Sequence, residues 1–442
     1  MFQIKLWFVT CDIRLLYLNK ENKNRMLRLL LFICCIIPVF LSCNDNKPKV
    51  VVPGFKEYKE AVAPDATGMN IEVTSMELSK KLKVGFNVGN TFEAVYKDPD
   101  GNLSGDETIW GNPTPNAALF KGIKAAGFNF VRMPVSFSHQ LADSGRYEIK
   151  KEWMDKVAKA VDDAIDAGLY IMINIHWDGG WMDHPNDRYK DVISERFEAY
   201  WKQIALRFRD YDDRLLFAGM NEVADADTDM WNVPPTEENL RVQNGLNQLF
   251  VNVVRATGGC NYYRYLVLPS YLTNIGYAVS GFEKPMDVVE NRTFIECHFY
   301  DPFEFCLKTD EGYKTVWGKP FKDAGYDVPN WGLEDELEET LASLNKFTDK
   351  NIPVMIGEWG SIARIRGELE GEELERHIDS RDYYYWYVTK TCLKHNLLPV
   401  NWDIGLMFKR RTGEQNEVSN INAIMKAVTG EDYVFTTIQQ GK

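Results

Sequence analysis

Residues 128–177 carry, in order, FNFVRMPV (128–135), EWMDKVAKAVDDAIDA (152–167) and LYIMINIHW (169–177). The outer two are short apolar runs rich in the residue types that favour strands. The middle one spaces its apolar residues three and four apart, as one face of a helix does. Gly127 and Gly168 stand where helices end and a left-handed residue is favoured. A strand, a helix and a second strand in succession predict a parallel pair with a crossover.

The same alternation extends outward in both directions. Strand-like runs recur at 82–88, 215–222, 263–270, 293–300, 352–359 and 397–404, with amphipathic stretches at 195–209, 239–256 and 334–348. Eight strands alternating with helices predict an α/β fold, a single (β/α)8 TIM barrel. A doubly wound open sheet is the alternative, but the turn Gly85-Phe-Asn-Val-Gly89-Asn90 is not its GxGxxG signature. There is no P-loop, no GxSxG elbow and no HExxH.

The 442 residues are 45% hydrophobic and 13% aromatic, a globular composition rather than a disordered one. At about 150 residues per domain the length allows two or three ordinary domains or one large one. The net charge of −13 disfavours binding to nucleic acid.

The chain begins with a targeting segment. The apolar run from Leu29 to Leu41 is too short to cross a bilayer, follows Arg25 and Arg28, and has the form of a signal-peptide core. Leu41-Ser42-Cys43 resembles a bacterial lipobox, which implies lipidation of Cys43. Residues 1–42 are therefore read as a signal segment with its true start at Met26. Residues 43–75 are read as a lipidated tether and strap, 76–430 as the barrel and 431–442 as a tail. Losing residues 1–42 removes six basic and two acidic residues, leaving −17. The expected location is the outer membrane, periplasmic or surface facing, with membrane contact only through the anchor and a monomeric state. Four cysteines remain beyond the anchor, Cys260, Cys297, Cys306 and Cys392, and three disulfide pairings are open.

Barrel enzymes carry their chemistry at the C-terminal ends of the strands. Those ends hold Asn87, Asn90, Arg132, His176, Asn221, Glu222, His298, Tyr300, Glu358 and Trp402. Charged groups in apolar strands are costly unless paired or used. Two carboxylates, Glu222 and Glu358, across one mouth suggest glycoside hydrolysis, in which one protonates the leaving oxygen and the other attacks the anomeric carbon or activates water.

As a set these motifs resemble glycoside hydrolase family 5, from about Leu82 to Gly405. The carriers are GFNVGNTFEA (85–94), Arg132-Met-Pro-Val, His176, Asn221-Glu222, His298-x-Tyr300, Ile356-Gly-Glu358-Trp-Gly and Trp402. The resemblance implies a retaining double displacement with Glu358 as nucleophile and Glu222 as acid/base. It further implies that Asn221 binds the sugar 2-hydroxyl and that Arg132 and Tyr300 hold Glu358. His176 and His298 would line the cleavage subsite, and Trp402 would form a sugar platform. His139, Asn90, Trp177 and Trp359 are added as substrate-binding candidates. The opening motif is most similar to the endo-β-1,4-glucanase and xyloglucanase branch. The sequence departs from relatives at Phe137, where Trp is common, and at Trp177, where some have His.

The implied partner is a β-glucan polysaccharide, of cellulose, mixed-linkage or xyloglucan type. An endo-β-1,4-mannanase is the alternative. A non-catalytic glycan-binding lipoprotein would have lost a glutamate, and both are present. Trp110, Trp177, Trp181, Trp231, Trp317, Trp331 and Trp359 fall in loops suited to a sugar groove, whereas Trp153, Trp201 and Trp386 fall in helical patterns that predict core. No cofactor or metal is expected. The run Asp225-Ala-Asp-Thr-Asp229 offers oxygen ligands but lacks the glycine and terminal glutamate of a calcium loop.

Overall fold

A computed structural model of the chain describes residues 52–365 and 367–438. The signal segment, Met26 and Cys43 lie outside the described residues. No described helix is long and apolar enough to cross a membrane.

Eight parallel strands close into a barrel. They are β1 (Gly85–Asn87), β2 (Phe130–Met133), β3 (Tyr170–Asn174) and β4 (Leu215–Ala218), then β5 (Leu266–Pro269), β6 (Thr293–Phe299), β7 (Val354–Trp359) and β8 (Leu398–Asn401). Each pairs with its successor, and β8 returns to β1 with Val400 beside Gly85. The predicted helices are present as Lys151–Asp166, Lys190–Arg207 and Glu237–Ala256. The stretch 334–348 differs. It forms two pieces, Glu334–Ala342 and Asn345–Thr348. Ser343 Oγ donates to the Thr340 carbonyl at 2.6 Å, a local bond that competes with the helical ladder.

The period of two along each strand sorts the core into layers. Outward residues such as Val131, Ile171, Phe217, Leu268 and Ile356 pack against the helices. Inward, Phe130, Met172, Leu216, Val267, Phe294, Met355 and Val400 fill the barrel. Helix α1 (Ser75–Leu82), capped by a reciprocal Thr74–Glu77 pair, adds Leu78 and Leu82 to this plug. Each such burial contributes roughly 1.5–3 kcal/mol. Two residues further along the strands the interior turns polar. Asn87, Arg132, Asn174 and Glu296 are all buried there, so a polar layer rests on an apolar plug.

The flanking segments are tied to the barrel wall. Lys56 and Tyr58 bond Glu198 at 2.6 and 3.0 Å, and Asp65 N–H donates to the Gly259 carbonyl. Beyond the last helix, Val418–Thr429, the N–H groups of Thr436 and Thr437 donate to Asp379, and Phe435 packs on Tyr383. Cys260, Cys297, Cys306 and Cys392 are buried free thiols.

Candidate active site

The barrel brings β2, β4, β6 and β7 to one mouth, and their polar residues interlock. Arg132 is fully buried. Its Nη1 donates to Glu358 Oε1 at 2.8 Å and to Asn87 Oδ1 at 3.1 Å, and its Nη2 donates to Asn221 Oδ1 at 2.7 Å. Tyr300 donates its hydroxyl to Glu358 Oε2 at 3.1 Å. Glu358 is therefore held from both oxygens, on a side chain only 7% exposed. Glu222 is more open, with 32% of its side chain exposed. Its Oε1 lies 2.6 Å from His298 Nδ1 and 3.5 Å from the Thr273 hydroxyl.

A bulge sets this register. Cys297 pairs with Ile356 but His298 pairs with Glu358, so Gly357 is the extra residue. A carboxylate oxygen of Glu222 and one of Glu358 lie within 4.8 Å of each other. That proximity fits the ~5–5.5 Å spacing of paired carboxyls in retaining glycosidases, not the ~6.5–9.5 Å that leaves room for water in inverting ones.

Electrostatics follow from this packing. Burial pushes the Glu358 carboxyl up, while the positive charges of His298 and Arg132 pull it down. Burial would neutralise His298, but Glu358, Glu222 and Glu296 outweigh it and raise the imidazole to about 9. His176 is driven the other way, well below its ordinary value, by burial and then by Arg132 and His298. It is a neutral ring, stacked parallel to Trp402 at 6.1 Å.

The cleft widens on either side of the glutamates. A cavity of about 290 Å³ beside Glu222 is lined by His176, Trp177, Asp183 and Trp231. Another of about 340 Å³ lies beside Tyr300 and Trp402, walled by Leu307, Ile404 and Tyr385.

Residues 89–406 match the family model for Cellulase (glycosyl hydrolase family 5). The chain belongs to glycosyl hydrolase family 5. This family 5 hydrolase is 56% identical over 389 residues to the xyloglucan-specific endo-beta-1,4-glucanase BoGH5A of Bacteroides ovatus, covering 87% of this chain and 76% of that protein. It superposes with TM-score 0.82 and 55% identity on a Bacteroides ovatus GH5 xyloglucanase in complex with a XXXG heptasaccharide, covering 85% and 80% of the two chains. A family 5 xyloglucanase from Paenibacillus pabuli in complex with ligand gives TM-score 0.71 at 33% identity, covering 79% and 99%.

Three expectations for the hydrolase are corrected by its packing. Trp359 is fully buried, with its ring against Tyr385 at 5.1 Å, and has no face to offer a sugar. It belongs to an outward position on β7, under the helical layer. Trp317 is likewise core, its indole N–H donating to the Gly332 carbonyl. His139 stands apart from the carboxylates, edge-on to Trp153 at 5.0 Å, where burial and then Lys150 press it down to about 4. Asn90 is partly exposed with φ 58°. Its neighbour Gly89 has no room for a Cβ, which would stand 2.8 Å from the Trp402 ring. Trp177 is 42% and Trp231 72% exposed, as groove residues require. Trp153, Trp201 and Trp386 are core.

Two site residues of the family 5 enzyme escaped the sequence reading. Glu296 forms an ion pair with Arg132 Nε at 2.8 Å, and Asn174 lies 3.3 Å from His176 Nδ1. An acid two residues before His298 in an apolar strand, hence on the same inward face, was the available signal. Among the described residues His184, Asp225 and Asp227 also gather, with His184 Nδ1 3.3 Å from Asp227 and Asn239 donating to Asp225.

Proposed function

We propose that this hydrolase is a retaining endo-β-1,4-glucanase that cleaves β-glucan chains, xyloglucan foremost, with Glu358 as nucleophile and Glu222 as acid/base. The observation that carries the reading is the close pair of carboxylates with unequal surroundings. Glu358 is clamped by Arg132 and Tyr300, which fix its aim. Glu222, more open and bonded only to His298 and Thr273, is free to exchange a proton with substrate and water.

In the first displacement a Glu358 oxygen attacks C1 as Glu222 delivers its proton to the departing glycosidic oxygen. Glu222 then takes a proton from water, whose oxygen attacks C1 and releases Glu358. Asn221 spends its carbonyl on Arg132, which leaves its amide N–H groups to bond the sugar 2-hydroxyl. Trp402 and neutral His176 present flat surfaces to the ring at the cleavage point.

The xyloglucan preference is supported by the named specificity of the Bacteroides ovatus relative. The two cavities flanking the carboxylates offer room beside a glucan backbone for branches. Lipidation of Cys43 and an outer-membrane position, periplasmic or surface facing, belong to the same reading and rest on the sequence 27–43.

The test is Glu358→Gln and Glu222→Gln, each expected to lose most hydrolysis with an unchanged melting temperature. Azide should restore turnover of an activated aryl glycoside by Glu358→Ala. Product profiles on carboxymethyl cellulose, barley glucan, xyloglucan and mannan decide the substrate, and cleavage of mannan alone would overturn the glucanase reading. Cys43→Ser, followed by membrane fractionation, tests the anchor.

A further inference from the structure

Beneath the two glutamates lies a third acid for which the double displacement has no stated use. Glu296 is fully buried in β6. A buried carboxylate is retained only against a large desolvation cost, so its partners indicate its role. It has two. Arg132 Nε lies 2.8 Å from its Oε1, and His298 Nε2 lies 3.4 Å from the same atom. Both partners reach the reaction centre with their other nitrogens, Arg132 to Glu358 and His298 to Glu222. The opposite strand makes room for this acid. A Cβ built on Gly357 would stand 2.1 Å from Glu296 Oε1, and Gly357 is the extra residue of the β6–β7 bulge.

We propose that Glu296 is a positioning residue that fixes Arg132 and His298 from behind and balances their charge, so that Arg132 stays aimed at Glu358 and His298 at Glu222. This rests on the roles assigned above to Glu222 and Glu358. With Glu296 and Glu358 ionised, Arg132 and His298 charged and Glu222 protonated, the buried cluster is neutral. Without the Glu296 charge the same cluster carries one net positive charge. Glu358 would then ionise at lower pH, and His298 would lose its proton more readily. The other groups facing this cluster are Tyr300 at Glu358, neutral His176 beside Arg132 and His298, and Asn87 and Asn221 on Arg132.

The experiment compares Glu296→Gln with Glu296→Asp. Glutamine keeps the shape and removes the charge. Aspartate keeps the charge and shortens the reach. For Glu296→Gln, the acidic limb of the kcat/KM–pH profile on xyloglucan should move to lower pH by about one unit, with activity at the original optimum down about tenfold. For Glu296→Asp the limbs should stay in place while the rate falls. A Gln variant whose limbs match the wild type overturns the proposal, as does an Asp variant whose limbs shift like those of Gln. A purely structural role would favour the isosteric Gln and leave pH unchanged. Should Glu296→Gln fail to fold, histidine-ring nitrogen NMR of the wild-type protein decides. His298 is expected as the doubly protonated imidazolium at pH 7, and a neutral ring would refute the assignment. Full activity of Glu358→Gln or Glu222→Gln would instead strike the underlying catalytic reading, so the two failures are told apart.

Discussion

Replacing Tyr300 by Phe removes one oxygen and leaves the ring in place. The lost group donates to Glu358 Oε2 at 3.1 Å, while Arg132 continues to hold Oε1 at 2.8 Å. A hydrogen bond to a charged group is worth about 1.5–3 kcal/mol, and one pH unit corresponds to about 1.4 kcal/mol. The bond favours only the ionised carboxylate, which burial already disfavours. Its loss should therefore raise the Glu358 pKa by about one to two units. The assay is kcat/KM against pH with a dinitrophenyl cellobioside, whose leaving group departs without help from an acid. The profile then reports the nucleophile alone, and its acidic limb should move upward by that amount. At pH values above both limbs most of the rate should return. A limb that stays in place would refute the claim that Tyr300 stabilises the Glu358 carboxylate.

Other consequences are as open to measurement. Gly357→Ala drives a methyl into Glu296, so overpacking of roughly 1–3 kcal/mol should lower both the melting temperature and kcat. Glu93 is fully buried, and burial outweighs the bonds from Thr91 and Asn90 to raise it to about 7. A carboxyl raised on folding contributes stability below its unfolded value near 4.5, lost as pH rises through about 7. Glu93→Gln should accordingly flatten the change of melting temperature between pH 5 and 8, and an unaltered slope would contradict this. Trp317→Ala should cost about 3–5 kcal/mol of stability by calorimetry. Trp231→Ala, at an exposed cleft residue, should leave the melting temperature alone and raise KM for polysaccharide.

Much of the site was legible because a barrel obeys a simple rule. Once eight strands are recognised, their C-terminal ends all meet at one mouth. Glu222, Glu358, Arg132, His298 and Tyr300 were found this way and do interlock. Trp359 was misplaced because adjacency to Glu358 in sequence means opposition in a strand, where successive side chains face opposite sides. His139 lies in a loop, where no period constrains direction. Glu296 was overlooked although its parity with His298 was visible.

What the amino-acid order determined by itself was the alternation of strand and helix and the identity of the two glutamates. These are local properties, set by side-chain spacing and backbone geometry. Only the closed barrel decided the rest. It put Glu222 within 4.8 Å of Glu358, though 136 residues separate them in the chain. It also slipped the β6–β7 register at Gly357 and gathered three acids, a guanidinium and an imidazole around one buried point. Charges interact through space, so their balance depends on where distant strands meet.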